Sequence, residues 1–271
     1  MCAVLAVSPS GYYAFLGKEP SPRAHDTAVL DEKIIVIYTR HRGRYGAPRI
    51  YRELEAEGLS TSKNRVARRM NHLSLRALAK RKWKSTTDSN HTLAVAENVL
   101  NRDFSTDGPN QKWLTDITYI PTNEGWLYLA TVMDLYSRAI IGWSLQERLE
   151  TALIVEALEK ALWRRKFPVR VLVHSDRGSQ YCSARYQKLL CDNQLICSMS
   201  RTGECWDNAP MESFYHSLKT ELVQFIKGFK TREEAIFVIT EYIQSYYNTV
   251  RRHSALSYKA PFVFELVQGS L

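Results

Sequence analysis

Three consecutive runs, WLTDITYIP (113–121), WLYLATVMD (126–134) and RAIIGWSLQ (138–146), are rich in β-branched and aromatic residues and are separated by turn segments containing Asn-Glu-Gly and Tyr-Ser. Strands so close in sequence are expected to pair as an antiparallel meander. The pattern then alternates. TALIVEALEKALWRRK has apolar residues at helical spacing, RVLVHS is a short apolar strand, ARYQKLLCDN a helix and ICSMS a further strand. A helix begins within CWDNAPMESFYHSLKTEL, and TREEAIFVITEYIQSYYNTV supplies another. The order βββαβαβα plus helices predicts an α/β domain. With 271 residues, 45% hydrophobic and 24% charged, the chain has room for one medium domain and a small one.

The charge is unevenly placed. The chain carries +9 with a pI near 9.3, yet residues 38–84 alone hold 14 Lys and Arg against 3 Asp and Glu, leaving the remainder at −2. A concentrated basic segment points to a polyanionic partner. The segments DEKIIVIYTRHR, APRIYRELEAEG and SKNRVARRMNHLSL read as three helices. Gly58 is expected to end the second, and Ser60, Thr61 or Ser62 to cap the third. Ile50 and Leu54 are expected to pack on Val66, Met70 and Leu73, with Arg65, Arg68 and Arg69 outward. This is a helix-turn-helix pattern suited to DNA, with a solvated basic hairpin as the alternative. We therefore divide the chain into an N-terminal helical or linker segment (1–30), a helix-turn-helix domain (31–84), a polar linker ending in Asp-Gly-Pro (85–109) and a catalytic α/β domain (110–271). Five cysteines without a CxxC pair argue against a disulfide framework or a structural zinc site. The absence of a membrane-length apolar run or a signal peptide places the expected site of action in the cytoplasm.

Polar residues at strand ends and helix starts are the candidates for chemistry. Asp116 interrupts an apolar strand, where an uncompensated carboxylate is costly. Asp176 follows the apolar strand VRVLVHS and precedes Arg-Gly. Glu212 lies in the first turn of a helix, after Asp207 or Asn208 as a possible cap and Pro210. Three carboxylates from separate elements match the oxygen-ligand preference of hard divalent ions, and a pair of ions can stabilise both the entering and the departing oxygen of a phosphodiester. Asp134 is a fourth acid, read as a strand-end cap or an ion pair with Arg138, with metal ligation as the alternative. Tyr215 and His216 share a helix face with Glu212 and Lys219, and either packing or DNA contact would account for them. Trp206 could stack on a base or sit in the core. Gln180 and Asn208 could position DNA or satisfy loop backbone groups.

The words WLTDITYI, TVMDLYSRAIIGW, VHSDRGSQY and WDNAPMESFYHSLKTE, in this order, together resemble the catalytic core of insertion-sequence transposases related to retroviral integrases. SGYYAF and RYGAPRIYREL are similar to the N-terminal part of the second reading frame of such elements, so the resemblance spans nearly the whole chain. It implies an RNase H-like mixed five-stranded sheet flanked by helices, preceded by a small all-helical domain. It gives Asp116, Asp176 and Glu212 the metal-binding acid roles, for Mg²⁺ or Mn²⁺ as two ions, and gives Lys219 a contact to terminal DNA. Arg65, Arg68, Arg69, Asn208 and Gln180 complete the expected DNA-binding set. Implied partners are element ends and target DNA, further copies of the chain, and an upstream-frame protein or fusion. The amino-terminal His/Cys zinc module of retroviral integrases is absent, and the helical region 31–84 stands in its place.

Three rivals differ in chemistry. A tyrosine recombinase would use His174, Arg177 and Tyr215, but it needs its His-x-x-Arg on a helix, whereas here the motif ends an apolar strand. A non-catalytic DNA-binding regulator leaves the carboxylate in the strand unexplained. An RNase H-like nuclease would cut without joining.

Overall fold

The computed structural model describes residues 2, 4–17, 19, 21–78, 95–201, 205–223 and 228–268. Two compact units divide at Leu78 and Ala79. Among the described residues no helix is long and apolar enough to cross a membrane.

The first unit is helical. α1 (Pro9–Leu16) buries no side chain. α2 (Pro22–Arg40), α3 (Ala47–Ala56) and α4 (Lys63–His72) enclose Ile34, Ile37, Ile50, Leu54, Val66 and Met70, all fully or nearly fully buried. α2 starts at Pro22, nine residues before the expected position. The Ser21 hydroxyl accepts from the Ala24 amide at 3.2 Å and Pro22 fits the first turn, a start signal that the apolar pattern alone does not carry. Ser62 is the cap of α4, accepting from the Arg65 amide at 3.2 Å, and Gly58 takes a left-handed φ of +80° just beyond α3.

The basic face of α4 differs from expectation. Arg69 folds back on α2 and grips Asp31 with two donors, Nε to Oδ1 at 2.7 Å and Nη2 to Oδ2 at 2.5 Å. Arg65 is half-buried and reaches Thr27 Oγ1 at 3.3 Å. Of the three arginines expected to point outward, only Arg68 is exposed, and its Nε lies 3.4 Å from the Asn64 carbonyl of its own helix. A carboxylate on the adjoining helix is a better partner than water for a planar guanidinium, so α4 spends part of its charge on holding the unit together.

The second unit is built on a five-stranded sheet with strand order β3-β2-β1-β4-β5. β1 (Lys112–Thr122), β2 (Gly125–Asp134) and β3 (Ile140–Gln146) form the expected antiparallel meander. β4 (Leu172–Ser175) then pairs parallel to β1, and β5 (Ile196–Met199) parallel to β4. α5 (Thr151–Arg164) and α6 (Ala184–Asp192) cover one face, around Trp113, Val132, Ile141 and Leu158. α7 (Ala209–Leu218), α8 (Arg232–Glu241) and the π-helical segments Lys219–Val223 and Tyr242–Tyr247 cover the other, around Leu114, Leu129, Phe214 and Ile239. α9 (Pro261–Gln268) follows, and its Glu265 accepts two donors from Arg165 of the loop after α5, one at 2.8 Å and one at 2.5 Å.

Residues 95–109 are not the linker expected from their polar composition. Leu100 is buried in the core, and the amides of Val99 and Leu100 donate to Ser198 Oγ at 3.0 and 3.1 Å. Asn98 and Arg102 donate to buried Asp207 at 2.9 and 2.7 Å. The segment owes its order to long-range partners, which leave no local periodicity to read. Residues 85–94, expected to belong to the same linker, lie outside the described residues.

Gly142 of β3 lets α5 lie directly on the sheet: a Cβ there would stand 2.1 Å from the Ala157 carbonyl oxygen and 2.8 Å from Ala161 Cβ. Backbone cannot give way as a flexible side chain can. Gly142→Ala is therefore expected to cost about 3 kcal/mol, the upper end of overpacking effects, read as a lower urea midpoint at unchanged slope. A loss below about 1 kcal/mol would show that α5 can lift off the sheet at little cost.

Candidate active site

The parallel register of β1 and β4 fixes the centre of the site. Leu114 pairs with His174. Asp116 stands two residues further along β1, and Asp176 is the first residue beyond the end of β4; strands so paired run about 4.8 Å apart, and the charge of Asp176 acts on the Asp116 carboxyl. They lie at the carboxyl end of β4, where open α/β sheets place their ligands. Asp116 and Asp176 are both half-buried. The Ile117 amide donates to Asp116 Oδ1 at 2.8 Å, and the Gly178 amide donates to Asp176 Oδ1 at 2.9 Å. Gly178 serves space rather than an unusual φ, since a Cβ there would lie 3.1 Å from both Asp176 Oδ1 and Gln180 Oε1.

α7 brings the third acid. Asn208 precedes its first turn, Pro210 occupies that turn, and Glu212 is exposed on the same turn. The helix is tied to β1 by Tyr215, whose hydroxyl donates to the Asp116 carbonyl at 2.5 Å and lies 2.8 Å from Thr131 Oγ1 of β2. Tyr215 is itself buried. One side chain thus spans two strands and the helix.

The electrostatics follow from this crowding. Burial first, then the charge of Asp176, pushes the Asp116 carboxyl well above the usual carboxylate range, and Glu212 adds to the effect. The Ile117 amide and the Lys219 ammonium act in the opposite direction. Partial desolvation beside the site raises Glu212 as well, although much of its side chain is open to solvent, and burial lowers Lys219 against the pull of Asp116. Among the described residues no three His, Cys, Asp or Glu side chains are gathered closely enough to hold an ion without adjustment. The donor set is nevertheless that of a hard cation: carboxylate oxygens, mutually repelling, with the Lys219 ammonium acting on Asp116 in the opposite sense.

The remaining candidates separate clearly. Gln180 flanks Asp176 across Gly178, and buried Asn208 lies one turn before Glu212 with neither amide atom hydrogen-bonded. Asn208 gives α7 no side-chain cap. Asp207 gives none either: it accepts from Asn98, Arg102 and the Arg201 amide, the last at 3.0 Å. Asp134 is a strand-end cap, accepting from the Asn110 and Tyr136 amides at 2.9 and 3.1 Å, but its ionic partner is Arg165 at 3.3 Å rather than Arg138. Arg138 occupies a left-handed turn position with φ +60°. His216 is half-exposed one residue beyond Tyr215, and the side chain of Trp206 lies outside the described set. His174 is fully buried between Ser198 Oγ (2.9 Å) and Ser200 Oγ (3.1 Å), so the His-x-x-Arg motif at 174–177 serves the sheet. The role of Tyr215 as a tie to β1 had no local signal beyond its place on the Glu212 face.

The sheet order and its flanking helices define a protein of the integrase-core class. Residues 106–205 match the family model for an integrase core domain, 193–261 match a second integrase core model, and 24–83 match an HTH-like domain. The chain is 46% identical to the Escherichia coli (strain K12) transposase InsF for insertion sequence IS3A over 98% of its own length and 92% of that protein. It is 45% identical to the uncharacterized 31 kDa protein of Shigella sonnei insertion element IS600, covering 97% of each. A chain of the simian T-cell lymphotropic virus intasome, solved in complex with the PP2A regulatory subunit B56 gamma, is similar in fold at 12% identity and a TM-score of 0.50, covering 86% of this chain and 74% of that one. The chain belongs to the IS3 family of insertion-sequence transposases.

One pH effect is local to the sheet. Burial lowers the His174 imidazole to about 4. The unfolded chain, with a histidine near the ordinary 6.5, binds the proton at higher pH than the native protein, so stability falls as pH drops from about 6.5 to about 4 and is flat above. His174→Gln should remove up to about 3 kcal/mol of this acid sensitivity, seen as the difference between the two proteins' urea midpoints at neutral pH and near pH 4.5. Parallel pH profiles would mean that His174 titrates normally in the fold.

Proposed function

We propose that this chain is the catalytic subunit of transposition, cleaving phosphodiesters at the ends of its element and joining the freed 3′-hydroxyl to target DNA. The observation that supports the reading is the parallel pairing of β1 with β4 together with the charge coupling of Asp116 to Asp176 and Glu212. Membership of a transposase family supports the same chemistry. In the first step a water oxygen attacks the phosphorus and the bond to the element's 3′-oxygen breaks. In the second, that 3′-oxygen attacks a target phosphodiester and displaces the target's own 3′-oxygen. Asp116, Asp176 and Glu212 would hold divalent ions, Mg²⁺ or Mn²⁺ and two in number, which when bound supply Lewis-acid activation of the nucleophile and the departing oxygen.

The protein's own residues fix the geometry. Tyr215 holds the Asp116 backbone through its hydroxyl and is thereby occupied, which disfavours its use as a nucleophile. Lys219 is suited to a DNA phosphate next to the acids. The buried amide of Asn208 would gain its missing partners from DNA, since unsatisfied buried polar groups are costly. Gln180 would contact DNA from the Asp176 side. The helical unit would hold DNA through the exposed face of α4. Two element ends must meet for joining, so the active species is a multimer on DNA, working in the cytoplasm with an upstream-frame protein or fusion that recognises the ends.

Asp116→Asn, Asp176→Asn and Glu212→Gln should each reduce cleavage and joining roughly a thousandfold or more while leaving DNA affinity within a few-fold. They should also weaken the rise in melting temperature that Mg²⁺ gives the wild-type protein. Substantial activity in any one of them would remove that residue from the site, and cleaved but never joined ends would favour a nuclease. In the helical unit, Arg68→Ala should reduce the log–log salt slope of DNA binding by about 0.9, the loss of one phosphate contact. Arg69→Ala should instead lower the unit's melting temperature, because its guanidinium is held by Asp31. An unchanged slope with Arg68→Ala would mean that α4 does not face the duplex.

A further inference from the structure

α7 does not end where its α-helical hydrogen bonding does. At Lys219 the chain passes into a π-helical turn, Lys219–Val223, an arrangement that is rare and concentrated at functional sites. Within that turn Glu221 is buried at 5% exposure, and it is answered by Arg251 at 4%, from the segment after the second π-helical stretch. Arg251 Nε donates to Glu221 Oε1 and Oε2 at 3.0 and 2.9 Å, and Nη2 donates to Oε1 at 2.6 Å. The Tyr242 hydroxyl donates to Glu221 Oε2 at 2.9 Å. The same guanidinium reaches back to the last α-helical turn, where Nη2 donates to Ser217 Oγ at 2.9 Å. Its two anchor points, 217 and 221, bracket Lys219 on either side of the change from α to π.

A buried ion pair contributes little net stability compared with apolar groups of the same shape, and its best attested use is to fix one arrangement among several. The arrangement fixed here is the direction of Lys219. Tyr215, whose hydroxyl touches the Asp116 carbonyl, lies four residues earlier, one turn along the same helix face, so a junction held in register keeps the Lys219 stem on the side of the acids. A relaxed junction would rotate it away. We propose that Arg251, through Glu221 and Ser217, is the positioning residue that aims Lys219 at the phosphate bound beside Asp116. The proposal rests on the transposase reading above. The electrostatic coupling of Lys219 to Asp116 agrees with that direction.

The test is a double-mutant cycle in the whole chain, run with and without the upstream-frame protein, read as affinity for a labelled element-end duplex and as joining rate in Mg²⁺. Glu221→Leu combined with Arg251→Met replaces the pair by apolar side chains and is expected to keep the fold, checked by a melting temperature within a few degrees of wild type. With Lys219 present this change should weaken end affinity or joining about tenfold, the worth of one charge-assisted contact to phosphate. In a Lys219→Ala background it should cost less than twofold further, because nothing is left to aim. Arg251→Lys, which keeps the charge but cannot bridge Ser217 and Glu221 together, should fall between. Equal losses in both backgrounds, or no loss in either, would overturn the proposal. Affinity stays measurable if Lys219→Ala drops joining below detection. Failure of the catalytic reading would appear separately, as joining retained by Asp116→Asn.

Discussion

The catalytic unit is organised around one unfavourable placement, a carboxylate in the middle of its central strand. Asp116 sits on β1, flanked by β2 and β4, and both burial and the neighbouring Asp176 oppose its ionisation. A buried strand would ordinarily exclude such a group. Here the backbone around it is over-determined: the Asp116 carbonyl accepts from Tyr215, the Ile117 amide turns to the carboxylate, and the apolar faces of both flanking layers hold β1 in place. Stability is given up at one point, and in exchange three carboxylates act on one another across β1, β4 and α7.

Everything that brings the acids together depends on pairings distant in sequence. β4 lies parallel to β1 only because α5 crosses the sheet between them, and the close approach of α5 depends on Gly142. α7 is fixed by the Tyr215 hydroxyl and, through Ser217 in its last turn and Glu221 just beyond it, by Arg251. Asp207, just before α7, binds Asn98, Arg102 and the Arg201 amide, so the segment leading into β1 also steadies the start of the helix that carries Glu212. A defect in any of these supports would displace an acid without touching the site.

The helical unit follows a different logic. Its positive charge is divided between internal contacts and the surface, with Arg69 gripping Asp31, Arg65 reaching Thr27 and Arg68 exposed. A count of basic residues therefore overstates the charge free for DNA. Position on the helix decides which guanidinium meets a carboxylate of the neighbouring helix and which meets solvent.

The sequence by itself determined the local elements. Strand runs with β-branched and aromatic residues, the helical spacing in α5 and α6, Gly58 at the end of α3 and a hydroxyl cap for α4 among residues 60–62 were all legible, because each depends on neighbours a few residues away. Family words in fixed order added the chemistry expected of the acids. Tertiary structure decided the rest. It made residues 95–109 part of the core edge, gave Asp134 to Arg165 rather than Arg138, turned Arg69 inward, and paired Glu221 with Arg251. In each case the deciding partner lies far along the chain, and the free energy comes from burying and pairing polar groups that a local pattern shows only as charged.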